Sequence, residues 1–378
     1  MKVMILGAGQ LARMMALAGA PLNIKISAYD IHSGDLVHPV TKEVLGHGLE
    51  SSIDNADVIT AEFEHINIDI LKLCQSSGKI FPNAESILTG GDRRKEKVLL
   101  DRAGVKNTRY QIIENRADFD AAITYINLPL ILKSALDGYD GRGQWRLKTQ
   151  NEANAVWQKI TKFLKTSPQA ERQCIIAEPF IAFDREISLI GARSADGTMA
   201  IYPLTENIHT DGILSVSISA NENEKLQTQA ESMFKSVADS LNYVGVLAIE
   251  FFEVNGTLTV NEIAPRVHNS GHWTQQGSDV CQFENHLRAV CNLPLGSTNR
   301  IRPTAMVNII GEATVPQSIM SFAHLHWYDK APRPRRKIGH INLSANDINS
   351  LGESLRQLSM FLAKDQFPAL HEAAHKLI

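Results

Sequence analysis

Val246-Leu247-Ala248-Ile249-Glu250-Phe251-Phe252-Glu253-Val254 runs into Asn255-Gly256 and returns as Leu258-Thr259-Val260-Asn261-Glu262-Ile263. An Asn-Gly step between two apolar, β-rich runs predicts a hairpin, because the tight turn needs residues that tolerate positive φ. Glu250 stands among Leu247, Ala248, Ile249, Phe251 and Phe252, where an unpaired carboxylate would be strongly unfavourable, so something cationic must meet it. Glu250 on one strand and Asn261-Glu262 on its return present two carboxylates and an amide oxygen, the hard ligands that Mg²⁺ accepts when it is shared with substrate phosphates. The rival is a buried salt bridge, with Arg266 as the nearest cation, although Arg266 follows Pro265 and is aimed elsewhere. Arg266-Val267-His268-Asn269-Ser270-Gly271-His272-Trp273 comes next, with no helical or strand period. A loop so dense in donors beside a metal site is expected to bind substrate.

Upstream, Ile131-Leu132-Lys133 and Gln144 to Leu147 read as strands flanking Asp137-Gly138-Tyr139-Asp140-Gly141-Arg142-Gly143. Three glycines in six residues make a hairpin loop whose bare N–H groups can close over phosphates, with Lys133 as a fixed charge on the incoming strand. It is not a Walker A loop, since no Gly-Lys-Ser/Thr precedes a helix. Glu178-Pro179-Phe180-Ile181 ends a strand and Asp184-Arg185-Glu186 opens the next, a segment able to offer backbone groups to an adenine edge and a carboxylate to ribose hydroxyls. A second hairpin is signalled by Asp196-Gly197 between Ile187–Ala192 and Met199–Leu204. With a helix over Glu222 to Leu241, these describe an antiparallel α+β unit.

The first ninety residues differ in kind. Lys2 to Leu6 and Ile24 to Tyr29 are strands joined by Gly7-Ala8-Gly9-Gln10 and a helix from Leu11 to Ala20, with further strands at Val58–Phe63 and Lys79–Phe81 and a helical period at Asp69–Ser76. Gly7-x-Gly9-x-x-Ala12 with Asp30 satisfies a relaxed dinucleotide fingerprint, and Arg13 could meet an anion at the helix N-terminus. The charge run Asp92-Arg93-Arg94-Lys95-Glu96-Lys97 begins a helix that Gly104 stops. Beyond Leu293-Pro294-Leu295-Gly296, a strand at Ala305–Ile310, the basic stretch Lys330 to Lys337 and a helix from Asp347 suggest an appended subdomain. The expected division is 1–91 doubly wound, 92–296 antiparallel and 297–378 C-terminal.

With 38 Lys+Arg against 41 Asp+Glu, the net charge of −3 gives no electrostatic case for nucleic acid or an anionic membrane as partner. No apolar run approaches the ~18 residues that span a bilayer, and the opening apolar stretch ends at Gly7, so a cytoplasmic protein is expected. Cys74, Cys174, Cys281 and Cys291 form no C-x-x-C pair and read as reduced, buried thiols.

Taken together, Lys133, the loop Gly138 to Gln144, Glu178 to Ile181, Glu186, and Glu250 with Asn261-Glu262 resemble in order and spacing the ATP-grasp fold. The run Asn261 to Thr274 resembles the signature of the N5-carboxyaminoimidazole ribonucleotide synthetase family, and the likeness extends from Ile5-Leu6-Gly7 through Thr60-Ala61-Glu62-Phe63-Glu64 to Lys330. The resemblance implies a cytosolic, homodimeric ligase that uses Mg-ATP and bicarbonate to carboxylate 5-aminoimidazole ribonucleotide. It implies that Arg93, Lys133, Gly138, Tyr139, Asp140, Gly141, Arg142, Gly143, Gln144, Glu178, Pro179, Phe180, Ile181, Glu186, His209, Asn261 and Glu262 face ATP, and that Glu250 and Glu262 hold magnesium. Arg266, His268, Lys330 and Arg336 match the family's bicarbonate and ribonucleotide contacts; the resemblance implies that Arg266, His268 and Lys330 are catalytic and that Tyr139 and Asp140 also touch substrate.

The chain departs from the family pattern at Ala8, Ala12 and Arg335, where Gly is usual, and at Ser134-Ala135, where a Thr-Arg pair is usual. Other readings are a formate-dependent or amino-acid ligase on the same scaffold, a nicotinamide-dependent reductase built on the Gly7 turn, and an inactive nucleotide sensor. Whether Glu62 or Glu64 reaches a ligand is open, since alternate strand residues point oppositely.

Overall fold

The structure, a computed structural model, describes residues 1–136, 138, 143–167, 169–220 and 222–377. Its strands gather into three sheets. The first contains β1 (Lys2–Leu6), β2 (Lys25–Tyr29), β3 (Asp35–Val37), β4 (Val44–His47) and β5 (Val58–Ala61) in the order β4-β3-β2-β1-β5. β1 pairs in parallel with both β2 and β5, and its Val3 to Leu6 are buried on both faces, as a central parallel strand requires. Ile80 forms only an isolated bridge to Ile59, not the expected strand. Gly78, at φ +70°, turns the chain just before it, and Pro82 just after it has no N–H to donate.

The Gly7 turn is filled from within the protein. The Glu62 carboxylate accepts hydrogen bonds from the N–H groups of Gly9 and, at 3.0 Å, Ala12, at the start of the helix Gln10–Gly19. It occupies the helix N-terminus where a dinucleotide pyrophosphate would lie, so the nicotinamide reading of this turn fails on sterics and charge. Gly7 sits at φ +110°, and a β-carbon there would strike the Phe63 ring and lie 2.6 Å from Glu62 Cγ. Arg13 donates to Val40 O at 3.0 Å and does not serve as an anion contact in this arrangement.

The second sheet has β6 (Gln111–Ile113), β7 (Leu130–Ser134), β8 (Gln144–Leu147) and β9 (Ile175–Pro179) in the order β6-β9-β7-β8, all antiparallel. The third sheet comprises β10 (Arg185–Arg193), β11 (Met199–Ile201), β12 (Thr205–Thr210), β13 (Ile213–Ser219), β14 (Gly245–Val254), β15 (Thr257–Ala264), β16 (Thr304–Ile310), β17 (His324–Trp327) and β18 (Lys337–Ser344). Its order is β15-β14-β10-β12-β13-β16-β18-β17, with β11 paired to β10. The C-terminal strands thus continue the central sheet through Ser217↔Met306, while the helices Ile348–Phe361 and Pro368–Lys376 cover their outer face with Leu351, Leu355, Leu358, Leu370 and Ala373.

The N-terminal unit is bound to this sheet by a shared core: Leu11, Met14 and Met15 pack with Phe283, Leu287 and Val290 of the helix Gln282–Val290. Within that contact, buried His286 accepts the Val246 N–H on Nδ1 at 3.0 Å and therefore turns Nε2–H toward Thr60 Oγ1 at 2.8 Å. One neutral ring ties β5 to β14.

Burial holds the His286 pKa down to about 4, against ~6.5 in an unfolded chain. Between those values the unfolded state binds the extra proton, so stability is full above ~6.5 and declines as pH falls toward 4, at up to ~1.4 kcal/mol per pH unit. Urea midpoints measured from pH 7 to pH 4.5 should fall on acidification, and His286→Gln, which cannot titrate, should show a shallower slope than wild type. Parallel slopes would remove His286 from the acid response.

Candidate active site

A cleft of ≈ 330 Å³ opens between the four-stranded sheet and the central one, within the usual range for small-molecule sites. Arg93, Lys133, Gly138, Gly143, Gln144, Glu178, Pro179, Phe180, Ile181, Glu186, His209, Glu250, Asn261, Glu262 and His268 all line it. Gly143 and Gln144 are held there because β7 and β8 pair Lys133 with Gln144, and Ser134 N–H donates to Gly143 O at 2.7 Å. Tyr139, Asp140, Gly141 and Arg142 lie outside the described residues. Of the acids flanking Phe180-Ile181, Glu186 reaches the cleft, whereas Asp184 accepts the Asn255 N–H at 2.7 Å in the hairpin turn.

Irregularities in the central sheet aim these side chains. Glu250 is in register with Glu262, but Phe251 pairs with Val260, so Asn261 is the extra residue of a bulge. In a regular strand Asn261 and Glu262 would face opposite ways; the bulge lets both line the cleft. A second bulge, with Ser215 unpaired between Leu214 and Val216, sits beside His209 and Leu214. A third, at Ile338, sits beside Lys337. His209, Leu214 and Lys337 are also lining residues.

The charges interlock. Arg93 Nη2 lies 3.0 Å from Glu262 Oε2. Buried Glu178 is gripped by Lys133 at 2.6 Å on Oε2 and by Lys97 at 2.5 Å on Oε1. Burial alone would raise its pKa, but the two ammonium groups hold it well below the usual carboxylate range. Lys133 also donates to Asn261 Oδ1 at 3.1 Å. Glu250 is pushed up by burial and then by Glu262, whereas Arg93 and Lys133 overcome burial to hold Glu262 down. Two facing carboxylates, one of them short of positive charge, fit a cation shared with phosphate oxygens. No group of three or more His, Cys, Asp or Glu side chains among the described residues could hold a metal by itself. Glu186 pairs with His209, whose pKa rises because that bond and Glu250 outweigh burial. His268 is kept neutral by burial and by Arg266; Ser270 N–H donates to its Nδ1 at 3.4 Å, leaving Nε2–H as a donor 3.8 Å from Glu250.

The remaining expected residues sit elsewhere. Arg266 does not pair with Glu250: its Nε lies 2.7 Å from Glu64 Oε1, so the salt bridge expected of the hairpin is made instead by Arg93, on Glu262. Lys330 and Arg336 do not line the ≈ 330 Å³ cleft. Lys330 donates to Gln10 beside Glu62, and burial followed by Arg336 lowers its pKa to about 8. Glu62 and Glu64 thus both have protein partners, the first at the helix N-terminus and the second on Arg266. Arg335, where Gly is usual, has φ +66° and donates to Asp211 O at 3.1 Å. Glycine adopts that backbone freely, whereas a non-glycine residue such as Arg335 is strained there by about 1 kcal/mol.

Several cleft-shaping residues were not singled out from sequence. Lys97 follows Arg93 by four residues in the helix Arg93–Arg102, and that spacing within the charge run was the available signal. Asn308 is a lone amide in an apolar strand; it exchanges two amide hydrogen bonds with Asn269, at 3.1 and 2.7 Å, and so holds the donor loop against β16. Gln282 accepts His268 N–H at 2.9 Å and donates to His268 O at 2.7 Å, pinning the same loop.

A glycine loop and lysine on one antiparallel sheet, closing on a carboxylate pair of another, define an ATP-grasp enzyme. Family models match accordingly: a ribonucleotide synthetase preATP-grasp domain over residues 1–89, an ATP-grasp domain over 98–283 and a phosphoribosylaminoimidazole carboxylase C-terminal domain over 304–354. The chain belongs to the N5-carboxyaminoimidazole ribonucleotide synthase family. It is 58% identical to the Vibrio cholerae member over 100% of both chains, and 37% identical to that of Escherichia coli over 94% of each. The crystal structure of the Thermus thermophilus synthetase superposes with a TM-score of 0.85 at 36% identity, covering 96% of this chain and 98% of that one. An Aspergillus clavatus synthase solved with ADP and 5-aminoimidazole ribonucleotide gives 0.80 at 26% identity, covering 99% and 98%.

Proposed function

We propose that this chain carboxylates 5-aminoimidazole ribonucleotide at its amine, consuming ATP and bicarbonate, as a step of purine biosynthesis. The observation that carries the reading is the in-register pair Glu250 and Glu262, flanked by Arg93 and Lys133 in one cleft that Gly138, Gly143 and Gln144 also line. Full-length identity to named synthases supports the choice of substrate. The assignment divides the chain at 1–91, 92–296 and 297–378. It also takes from the family resemblance a homodimer in the cytosol; consistently, no helix of the described residues is long and apolar enough to cross a membrane.

Bicarbonate is a poor electrophile, so its activation requires the γ-phosphoryl group, giving carboxyphosphate, which delivers CO₂ or its equivalent to the amine. Lys133 and the N–H groups of Gly138 to Gln144 hold the transferring group in line, and the segment Glu178 to Ile181 receives the adenine. Glu250 and Glu262, with Asn261 beside them, would hold magnesium, which when bound neutralises charge on the β and γ phosphates. Arg266, oriented by Glu64, offers bicarbonate a planar donor pair that Lys could not reproduce. His268 presents Nε2–H to the same region. Water must be kept from the transferring group, since it would otherwise hydrolyse carboxyphosphate. Lys330, set beside Gln10 and Glu62, and Arg336 take the ribonucleotide phosphate.

ADP release in the presence of bicarbonate should require magnesium and rise strongly when 5-aminoimidazole ribonucleotide is added; equal rates with and without it would count against the assignment. In the same assay Glu262→Gln keeps the shape but removes a charge facing the phosphates, and should lower turnover by about a hundredfold or more with an unchanged melting profile. An active, well-folded variant would take Glu262 out of the metal site.

Lys330→Ala separates the two halves of the site. A charge-assisted phosphate contact is worth about 1.5 to 3 kcal/mol, so the KM for the ribonucleotide should rise about ten- to a hundredfold while that for ATP stays nearly constant. Kinetic silence would make the stretch from Lys330 a surface turn, and a loss confined to ATP would redraw the division of the site.

A further inference from the structure

Glu178 binds two lysines, and only one of them faces the cleft. Lys133 lines it, with its side chain 12% exposed. Lys97 does not, and its side chain is 1% exposed. Each proton of the Lys97 ammonium has a protein acceptor: Glu178 Oε1 at 2.5 Å, Thr108 Oγ1 at 2.8 Å and Asn107 Oδ1 at 3.5 Å. Thr108 in turn donates to Glu178 Oε1 at 2.9 Å, closing a small buried ring of hydrogen bonds. A cation so enclosed cannot touch a ligand in the cleft. It acts through the buried groups around it: Glu178, which it touches, and Glu96, which feels its charge without lining the cleft.

The charge balance shows what it does there. One carboxylate and two ammonium groups leave a net charge of +1, and only Lys133 can present it to the cleft. If Lys97 were neutral, Glu178 and Lys133 would cancel, and the floor of the phosphate site would lose a full charge although no lining residue had changed. Placing Lys133 on ATP rests on the functional reading above. We propose that Lys97 is a positioning residue for ATP: it neutralises Glu178, so that the charge of Lys133 is spent on the nucleotide's phosphates and not on a buried carboxylate. The helix Arg93–Arg102 then serves both ends of the site, since Arg93 on the same helix pairs with Glu262.

The test compares Lys97→Met, close in shape but uncharged, with the double variant Lys97→Met/Glu178→Gln, in which Lys133 again has no carboxylate to neutralise. ATP binding is measured by calorimetry, melting by thermal unfolding, and KM for both substrates by ADP release. Loss of one charge several ångströms from the phosphates should weaken ATP about ten- to thirtyfold in Lys97→Met, with the ribonucleotide KM within about twofold of wild type. The double variant should recover most of that ATP affinity, a rescue that a purely structural role for Lys97 would not give. Unchanged ATP affinity in folded Lys97→Met overturns the proposal, as does a folded double variant that binds ATP no better than the single one. If Lys97→Met fails to fold, the double variant alone decides, and failure of both to fold makes Lys97 a folding residue and also overturns it. Lys133→Met is the control on the underlying reading: if it leaves ATP binding intact, the placement of ATP is wrong, whereas weak ATP binding there with normal binding in Lys97→Met faults Lys97 alone.

Discussion

Two carboxylates held opposite one another on adjacent strands set the terms for the rest of this structure. Glu250 and Glu262 are in register on β14 and β15, and like charges directly opposed in a sheet repel unless cations intervene. The protein supplies part of the remedy from outside the hairpin. Arg93 reaches Glu262 from the helix Arg93–Arg102, and Lys133 adds its charge from β7 of the other sheet. Glu250 remains the less compensated partner, with His209 as its principal nearby cation. An arrangement this short of positive charge leaves room for one more cation between the two carboxylates, which is the feature the proposed magnesium site uses.

The same constraint explains why the central sheet is bulged where it is. A regular pleat would send alternate side chains to opposite faces, and a site needing Asn261 and Glu262 together could not be built from it. The extra residues Asn261, Ser215 and Ile338 each interrupt the ladder next to a lining side chain. Bulges are poorly encoded locally. Nothing in Thr259-Val260-Asn261-Glu262-Ile263 announces one, because the interruption depends on the partner strand and on what the cleft must hold.

That difference accounts for what could be read from sequence and what could not. The hairpins at Asn255-Gly256 and Asp196-Gly197 were legible because a turn's φ requirements are met by residues at fixed positions, and Asn255 and Gly256 do carry φ of +49° and +69°. The doubly wound start was legible for similar reasons of period, whereas Arg93 and His209 were placed on the nucleotide only by the family resemblance. The dinucleotide fingerprint, carried only as an alternative, has another cause: Gly7 and Gly9 are small to admit Glu62 from fifty residues away, a contact no local pattern can show. Lys97 was missed for the converse reason. In a charge run a solvated face is the ordinary expectation, and only the fold reveals that its spacing from Arg93 turns it inward.

Long-range ties of this kind also make the three segments of the chain interdependent. The loop from Arg266 to Trp273 has little regular structure to hold it, yet each of its neighbours grips it: Glu64 from the N-terminal unit on Arg266, Gln282 on both backbone groups of His268, and Asn308 from the C-terminal strands on Asn269. Lys330 returns from the C-terminal segment to Gln10 at the first helix. The helix Arg93–Arg102 does the same for the nucleotide half, with Arg93 on the central sheet and Lys97 on the small one. A displacement of either sheet would therefore break the charge pair that sheet makes with this one helix, so the helix fixes the spacing of the two sheets on either side of the cleft.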